Sequence, residues 1–435
     1  SVIRSTYARW ICCATVLSAA IGVGSIALAK SIPLGGDAYF YHYSADVLAD
    51  GHGWINPLYF REQNIVVQAA DHPPAFIVYL LVWTLLGLSS IGAHQVATLL
   101  ITVACVPLFA ALGRRLGGDR VGLVAAMIGA VHPAMWGWSQ MIMSEPLAVM
   151  AVLALLLVSL EWHDRSKTGR SVRFITPLFG LLIGLAALAR AELLLLGVVL
   201  AFLCFASKNW RRFLESLFIA GAMAALTISP WVAYNLSRFD ETVLLSNGAQ
   251  ITFAATNCDE TYGGQFQAYW QMDCSERATA RARERLPGAD QSAIMNDVGR
   301  QTLDYVKAHK ATAVKTVFLR LGRVLGLYRP LQQINFDHFP EGRTIFVART
   351  AWASYYLLLP FVIAGGYLLR GNKRLLMIML APIAVALFTC ATTFGNTRYR
   401  MSAEPTMTVF AAFSLVASFA ALRRWWLADR IASQS

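Results

Sequence analysis

Nine ionisable residues fall at or beside the ends of apolar segments: Asp37, Asp46, Asp71, His72, Glu145, Arg190, Glu192, Arg398 and Arg400. Charged groups at that depth are expensive and are kept mainly where they line a polar site. Asp37 is the candidate general base, because a carboxylate within reach of a hydroxyl can take its proton during attack on an electrophilic carbon. Its alternative role is that of N-cap to the helix that follows. Tyr41 shares one face of that helix with Ala45 and Leu48. Asp71 and His72 stand before Pro73-Pro74, placed to orient an acceptor or a leaving phosphate, or, for Asp71, to cap the next helix. Glu145 follows Ser144 and precedes Pro146. It could bind a sugar hydroxyl, share a divalent cation with Asp37, or answer a helix dipole. Arg190 and Glu192, in a tight turn between two spans, could pair with each other or with the neighbours of Asp37. The guanidinium forks of Arg398 and Arg400, on either side of Tyr399, suit a phosphate that gains charge as it leaves. His42, His52 and His94 lack a second ligand at i+3 or i+4, which argues against zinc. The metal question stays open otherwise.

These residues need a membrane to hold them. Of 435 residues, 57% are hydrophobic and 14% charged, against about a quarter charged in soluble domains. The composition is that of an all-α polytopic membrane protein. The net charge of +12 lies in short basic runs between apolar segments, so it reads as cytoplasmic loops rather than a nucleic-acid surface. Arg4 and Arg9 place the N-terminus inside. Expected spans are 10–29, 94–112, 121–136, 144–160, 174–189, 191–205, 213–233, 346–369, 375–393 and 405–422, about ten in all. The segment 75–88 is short for a span. Were it to cross, Gly113-Arg114-Arg115, the run 161–173 and Lys208 to Arg212 would all face outside. It is therefore expected to lie along the outer surface.

Three parts follow: 1–233, a transmembrane module whose first external loop (30–93) carries Asp37; 234–345, a small mixed external region; and 346–435, the closing transmembrane helices. Within the middle part, Asn247-Gly248 and Gly263-Gly264 predict short strands and turns over 246–274. Cys258 and Cys274 could close a loop there, outside the reducing cytosol. Cys12, Cys13, Cys105, Cys204 and Cys390 lie in apolar segments and read as buried hydrophobes. The stretch 275–328 is helical in character, and its end, 314–328, carries Lys315, Arg320 and Arg323 at a spacing that predicts contact with lipid headgroups. No Walker, GxGxxG or GxSxG motif is present.

Four patches resemble the protein O-mannosyltransferase superfamily and its bacterial aminoarabinose-transferase relatives, C-type integral-membrane glycosyltransferases. They are Asp37-x-x-x-Tyr41-x-x-x-Ala45 with Gly53-Trp54; His72-Pro73-Pro74; Ser144-Glu145-Pro146 with Leu188-Ala189-Arg190-Ala191-Glu192; and Arg398-Tyr399-Arg400 with Pro405. Where the family often has Asp-Glu, this chain has Asp37-Ala38. The resemblance implies a GT-C-type fold with juxtamembrane helices in the first external loop. It implies inverting transfer of a hexosyl or pentosyl group from a polyprenyl-phosphate sugar to a lipid, glycan or protein hydroxyl. The site would face the extracytoplasmic side of the plasma (inner) membrane, with Asp37 as base. Two other functions fit a polytopic chain: a transporter or flippase of lipid-linked sugars, and a non-catalytic assembly partner.

Overall fold

The structure, a computed structural model, describes residues 2–29, 34–206, 209–339 and 341–432. Lys208, in one of the expected basic loops, lies outside the described residues. Among those described, seven helices are long and apolar enough to cross a membrane: Thr6–Leu28, Ile91–Val131, Glu145–Lys167, Trp210–Arg238, Ile345–Gly371, Lys373–Thr392 and Glu404–Arg424. Three shorter apolar helices, Ala75–Leu85, Ile175–Ala189 and Leu193–Phe205, fall below the ~20 residues of an upright span.

Ile91–Val131 is not one rod. At 41 residues it would be twice as long as a bilayer core is thick. It folds back at Gly117-Gly118, where Gly118 takes φ 79°, a conformation that glycine adopts without strain. The two arms touch where side chains are smallest: a Cβ on Gly122 would meet the Ala110 carbonyl and the Tyr7 hydroxyl. Small residues let helices approach closely where no hydrophobic effect drives them together. The same device seats Gly180, on Ile175–Ala189, against the Ala220 backbone of Trp210–Arg238. Val2–Leu28 and Glu404–Ala432 both pack on Ile91–Val131, Glu404–Ala432 also packs on Ile345–Leu368, and Lys373–Thr392 packs on Leu193–Phe205.

Gly36–Ala49, the helix of the first loop, buries Phe40, Tyr41, Ala45 and Val47 and packs on Ala75–Leu85. Ala75–Leu85 is 11 residues long, about 16 Å, and turns Phe76, Ile77 and Leu80 inward while Val78, Val82 and Leu85 stay exposed. Between them the chain closes on itself through an antiparallel bridge, Ile55 to Gln68. Arg238, at the end of Trp210–Arg238, clamps this turn by donating to the carbonyls of Trp54 (2.8 Å) and Ala69 (2.7 Å).

The middle region is helical throughout, which corrects the strands expected over 246–274 and the mixed character expected of the whole. Its helices are Gly248–Thr256, Asp259–Tyr262, Met272–Arg285, Gln291–Ala308, Lys310–Val324 and Pro330–His338. Asn247-Gly248 is a docking point rather than a hairpin turn. Asn247 N–H donates to the Ala70 carbonyl at 2.8 Å, and Gly248 lies so close to the Asp71 carbonyl that a Cβ would strike it. Ala254, Ala278, Ala282, Ile294, Met295 and Val298 form a small separate core. Cys258 and Cys274 are joined by a disulfide. Cys105, Cys204 and Cys390 are buried, but Cys12 and Cys13 are exposed on Val2–Leu28, contrary to expectation, because that helix covers a neighbour along only one stripe. Arg320 and Arg323 do not reach for headgroups either. Arg320 donates to the Thr256 carbonyl at 2.6 Å and Arg323 to the Gln267 carbonyl at 2.8 Å, leaving Lys315 and Phe318 on the exposed face.

The glycine contacts give a paired test. Gly180→Ala should lower the melting temperature in detergent, at about 1–3 kcal/mol for an overpacked contact. Gly221→Ala, on the same helix pair but facing open space, should not lower it.

Candidate active site

The site is assembled around one guanidinium. Gly35, not Asp37, is the N-cap residue of Gly36–Ala49, and Asp37 sits in the first turn. Its carboxylate instead points across to the last connection of the chain, where Arg398 Nη2 donates to Asp37 Oδ2 at 2.5 Å. Arg398 lies in the short helix Thr397–Arg400, whose cap, the Asn396 side chain, accepts from Arg398 N–H at 2.9 Å. That cap fixes the backbone from which the guanidinium projects.

Arg398 also donates through Nε to Glu145, which begins Glu145–Lys167 and is fully buried. Arg190 approaches Glu145 from the other side at 2.6 Å and pairs with Glu192, also at 2.6 Å. Ser144 is held between Arg190 Nη1 (3.4 Å) and the Tyr41 hydroxyl, which donates at 3.1 Å. His72 completes the near side, with Nε2 3.4 Å from Asp37 Oδ1. Its ring packs against those of Phe40 and Tyr41, with centroids at 5.1 and 4.7 Å. Thus Asp37, Tyr41, His72, Glu145, Arg190, Glu192 and Arg398 form one connected cluster. Tyr399 lies at its edge, with the Arg190 guanidinium 5.6 Å above its ring.

Two of the expected residues lie elsewhere. Arg400 is turned away and buried, paired with Glu404 at 3.3 Å, donating to the Val324 carbonyl and resting 3.8 Å over Tyr355. A one-turn helix cannot aim residues two apart the same way. Asp71 neither caps Ala75–Leu85, whose N-cap residue is Pro74, nor touches Asp37. Its Oδ2 is buried without a partner.

Several participants were not foreseen. Glu341 Oε2 lies 3.9 Å from Arg398 Nη1, making a third carboxylate around that guanidinium. Glu341 Oε1 accepts from Asn396 (2.7 Å), Tyr269 (3.2 Å) and Trp270 (3.3 Å). The available signal was position: like Asp71 and Glu145, Glu341 is an acid just ahead of an apolar helix. His42 and His94 face each other through Nδ1 at 2.9 Å, and Asp46, one turn on from His42, is 3.9 Å from its Nε2. The i+4 partner that His42 was said to lack is therefore Asp46.

Burial raises the proton affinity of Asp37, but Arg398 and His72 outweigh it and hold the carboxyl well below the usual range. Burial works against the charge on Arg398, yet Glu145 and Asp37 keep it firmly protonated. Glu341 goes the other way: burial pushes it up, only partly offset by Arg398 and Arg343. The carboxylates that could share a metal ion converge on Arg398, so an ion between Asp37 and Glu145 requires that guanidinium to move. Cys258, Glu260 and Cys274 also lie close together, but both sulfurs are in the disulfide.

Residues 71–234 match the family described as dolichyl-phosphate-mannose-protein mannosyltransferase. The solved oligosaccharyltransferase AglB of Archaeoglobus fulgidus, in complex with an inhibitory peptide and a dolichol-phosphate, superposes over 97% of this chain at TM-score 0.57 and 14% identity. The chain has a GT-C-type fold. It spans about half the length of the solved structures it matches first, 52% of AglB. A second A. fulgidus oligosaccharyltransferase structure, tethered to an acceptor peptide, matches at TM-score 0.57 and 16% identity, covering 96% of this chain and 50% of that one. ArnT from Cupriavidus metallidurans, bound to undecaprenyl phosphate, matches at TM-score 0.45 and 14% identity over 92% of this chain and 77% of that one, too slight a likeness to bear on the site. No curated protein matches.

The ion pair has a pH signature. A carboxyl whose folded value is depressed contributes stability above its unfolded value, near pH 4, and loses it as pH falls further. Wild-type melting temperature in detergent should therefore be insensitive to Asp37 between about pH 5 and about pH 8 and drop on the acid side. Asp37→Asn should show a smaller acid-side drop in the same measurement.

Proposed function

We propose that this chain transfers a sugar from a polyprenyl-phosphate donor to an acceptor hydroxyl, with inversion, on the extracytoplasmic side of the plasma (inner) membrane. The observation that carries the reading is the Asp37–Arg398 contact, which sets a candidate base beside a candidate phosphate ligand. The fold supports it, as do the family matched over 71–234 and the dolichol-phosphate held by AglB. The basic runs between apolar segments support the sidedness.

Asp37 paired with Arg398 is a weak base, because the guanidinium stabilises its ionised form. A donor phosphate competes for the same guanidinium. As it takes Arg398 Nη2, Asp37 loses its strongest neighbour, its proton affinity rises, and the carboxylate becomes a better acceptor for the incoming hydroxyl's proton. The base is thus released by donor binding. The acceptor oxygen attacks the anomeric carbon from the face opposite the phosphate. Arg398 answers the charge that grows on the leaving phosphate. Glu145, pinned by Arg190, holds Arg398 in place throughout. The acceptor, whether lipid, glycan or protein, meets Asp37 near His72 and Tyr41.

Asp37→Asn should lower transfer by about 10²–10⁴-fold while donor binding persists. The assay is mass spectrometry of products made with a panel of polyprenyl-phosphate sugars, beside equilibrium binding of the donor. Full transfer by Asp37→Asn ends the general-base role. Movement of labelled lipid across vesicles with no new glycosidic bond points instead to a flippase.

A further inference from the structure

Behind His72, the first-loop helix and the start of Ala75–Leu85 enclose a cavity of about 10 Å³, whose lining includes Ser44, Trp54, Ala70, Asp71 and His72. That is room for about one water. Two of those residues carry buried oxygens with no partner in the protein, Ser44 Oγ and Asp71 Oδ2. Orphaned buried oxygens are rare, and a polar cavity of this size is where a water satisfies them. The nearby cation Arg238 does not serve Asp71, since its guanidinium is committed to the Trp54 and Ala69 carbonyls, Gln68 and Asn235. His72 lines this cavity, and its Nε2 lies 3.4 Å from Asp37 Oδ1. Phe40 and Tyr41 hold the plane of the imidazole.

We propose that one water in this cavity links Asp71 and Ser44 to His72, and that this chain carries away the proton Asp37 takes from the acceptor. The inference rests on Asp37 being the general base. The acceptor oxygen bonds to the anomeric carbon, the phosphate leaves with the electron pair of the broken C–O bond, and the hydroxyl proton passes to Asp37. His72, neutral and carrying its proton on Nδ1, takes it from Asp37 at Nε2. The imidazolium releases its Nδ1 proton to the water, which gives one of its own to the Asp71 carboxylate. The Ser44 hydroxyl orients the water. Asp37 is then ionised again, and Asp71 holds the proton until it exchanges with solvent. Burial raises the proton affinity of Asp71, so its carboxylate can hold the proton. Asp71 is thus a positioning residue, acting through His72.

The test uses the full chain with a donor that gives product. Asp71→Asn should lower kcat by roughly 10-fold or more with donor KM within about twofold of wild type. Asp71→Ala should lose a similar amount and regain part of it with added formate, a small carboxylate that can replace the missing one. Wild-type kcat in Asp71→Asn, or a loss in Asp71→Ala that formate leaves untouched, overturns the relay. If neither Asp71 variant folds, Ser44→Ala carries the test: a severalfold loss in kcat at unchanged KM supports the relay, and wild-type kcat overturns it. Asp37→Asn assayed alongside separates the two claims. An active Asp37→Asn removes the general base itself. An inactive Asp37→Asn beside a fully active Asp71→Asn removes only the relay.

Discussion

A buried guanidinium shared by three carboxylates holds this protein's polar centre together. Arg398 meets Asp37 from the first connection, Glu145 from the head of a long helix and Glu341 from the segment before another. Glu145 or Glu341, buried without a cation, would carry a desolvation penalty of several kcal/mol. The pairings therefore oblige four segments, separated by up to 361 residues, to converge. Apolar helices alone do not specify such a convergence, because lipid is as good a neighbour to a leucine as another leucine is. Arg190 extends the network by fastening Glu145 to Glu192, so the charges alternate in sign across the site.

The middle region is tied to this centre rather than appended to it. Gly395 N–H donates to the Ala268 carbonyl at 3.1 Å, and Tyr269 and Trp270 reach Glu341 from the same loop. The disulfide from Cys258 to Cys274 closes the loop that carries them. Loop closure of this kind restricts the unfolded chain, and here it also restricts where two aromatic donors can go. From Lys310–Val324, Arg323 donates to the Gln267 carbonyl of that loop and to Gln333, while Arg320 donates to Asn257 just ahead of it. The basic residues most like headgroup ligands in one dimension are thus interior fasteners in three.

The Asp37–Arg398 pair also has a chemical consequence. A base held in an ion pair is quiet until something displaces its partner. A phosphate is the group best suited to do so, because it competes for the same planar donor fork. On the proposed function, donor binding and activation of the base are then one event. His72, packed against the rings of Phe40 and Tyr41, also lies beside Asp37.

Much of this was legible in one dimension, because composition and apolar run length are strong signals of a membrane chain and acids or bases at run ends stand out against them. Asp37, His72, Glu145, Arg190 and Arg398 could be named on that ground. The strands expected over 246–274 were misread because Asn-Gly and Gly-Gly mark a turn equally well when the reason for glycine is close approach to another backbone, as at Gly248. Glu341 escaped although it too stands just ahead of an apolar helix, because its polar neighbours placed it in the middle region rather than at a span end. Arg398 and Arg400 were indistinguishable by type and position; only the cap at Asn396 and the packing of Glu404–Ala432 turn one toward Asp37 and the other toward Glu404. Sequence by itself determined the membrane class, the resemblance to C-type glycosyltransferases and the side-chain types available at the span ends, since these follow from hydropathy and residue type alone. Tertiary structure decided which acid meets which base, because a side chain's direction depends on helix phase and on neighbours hundreds of residues away.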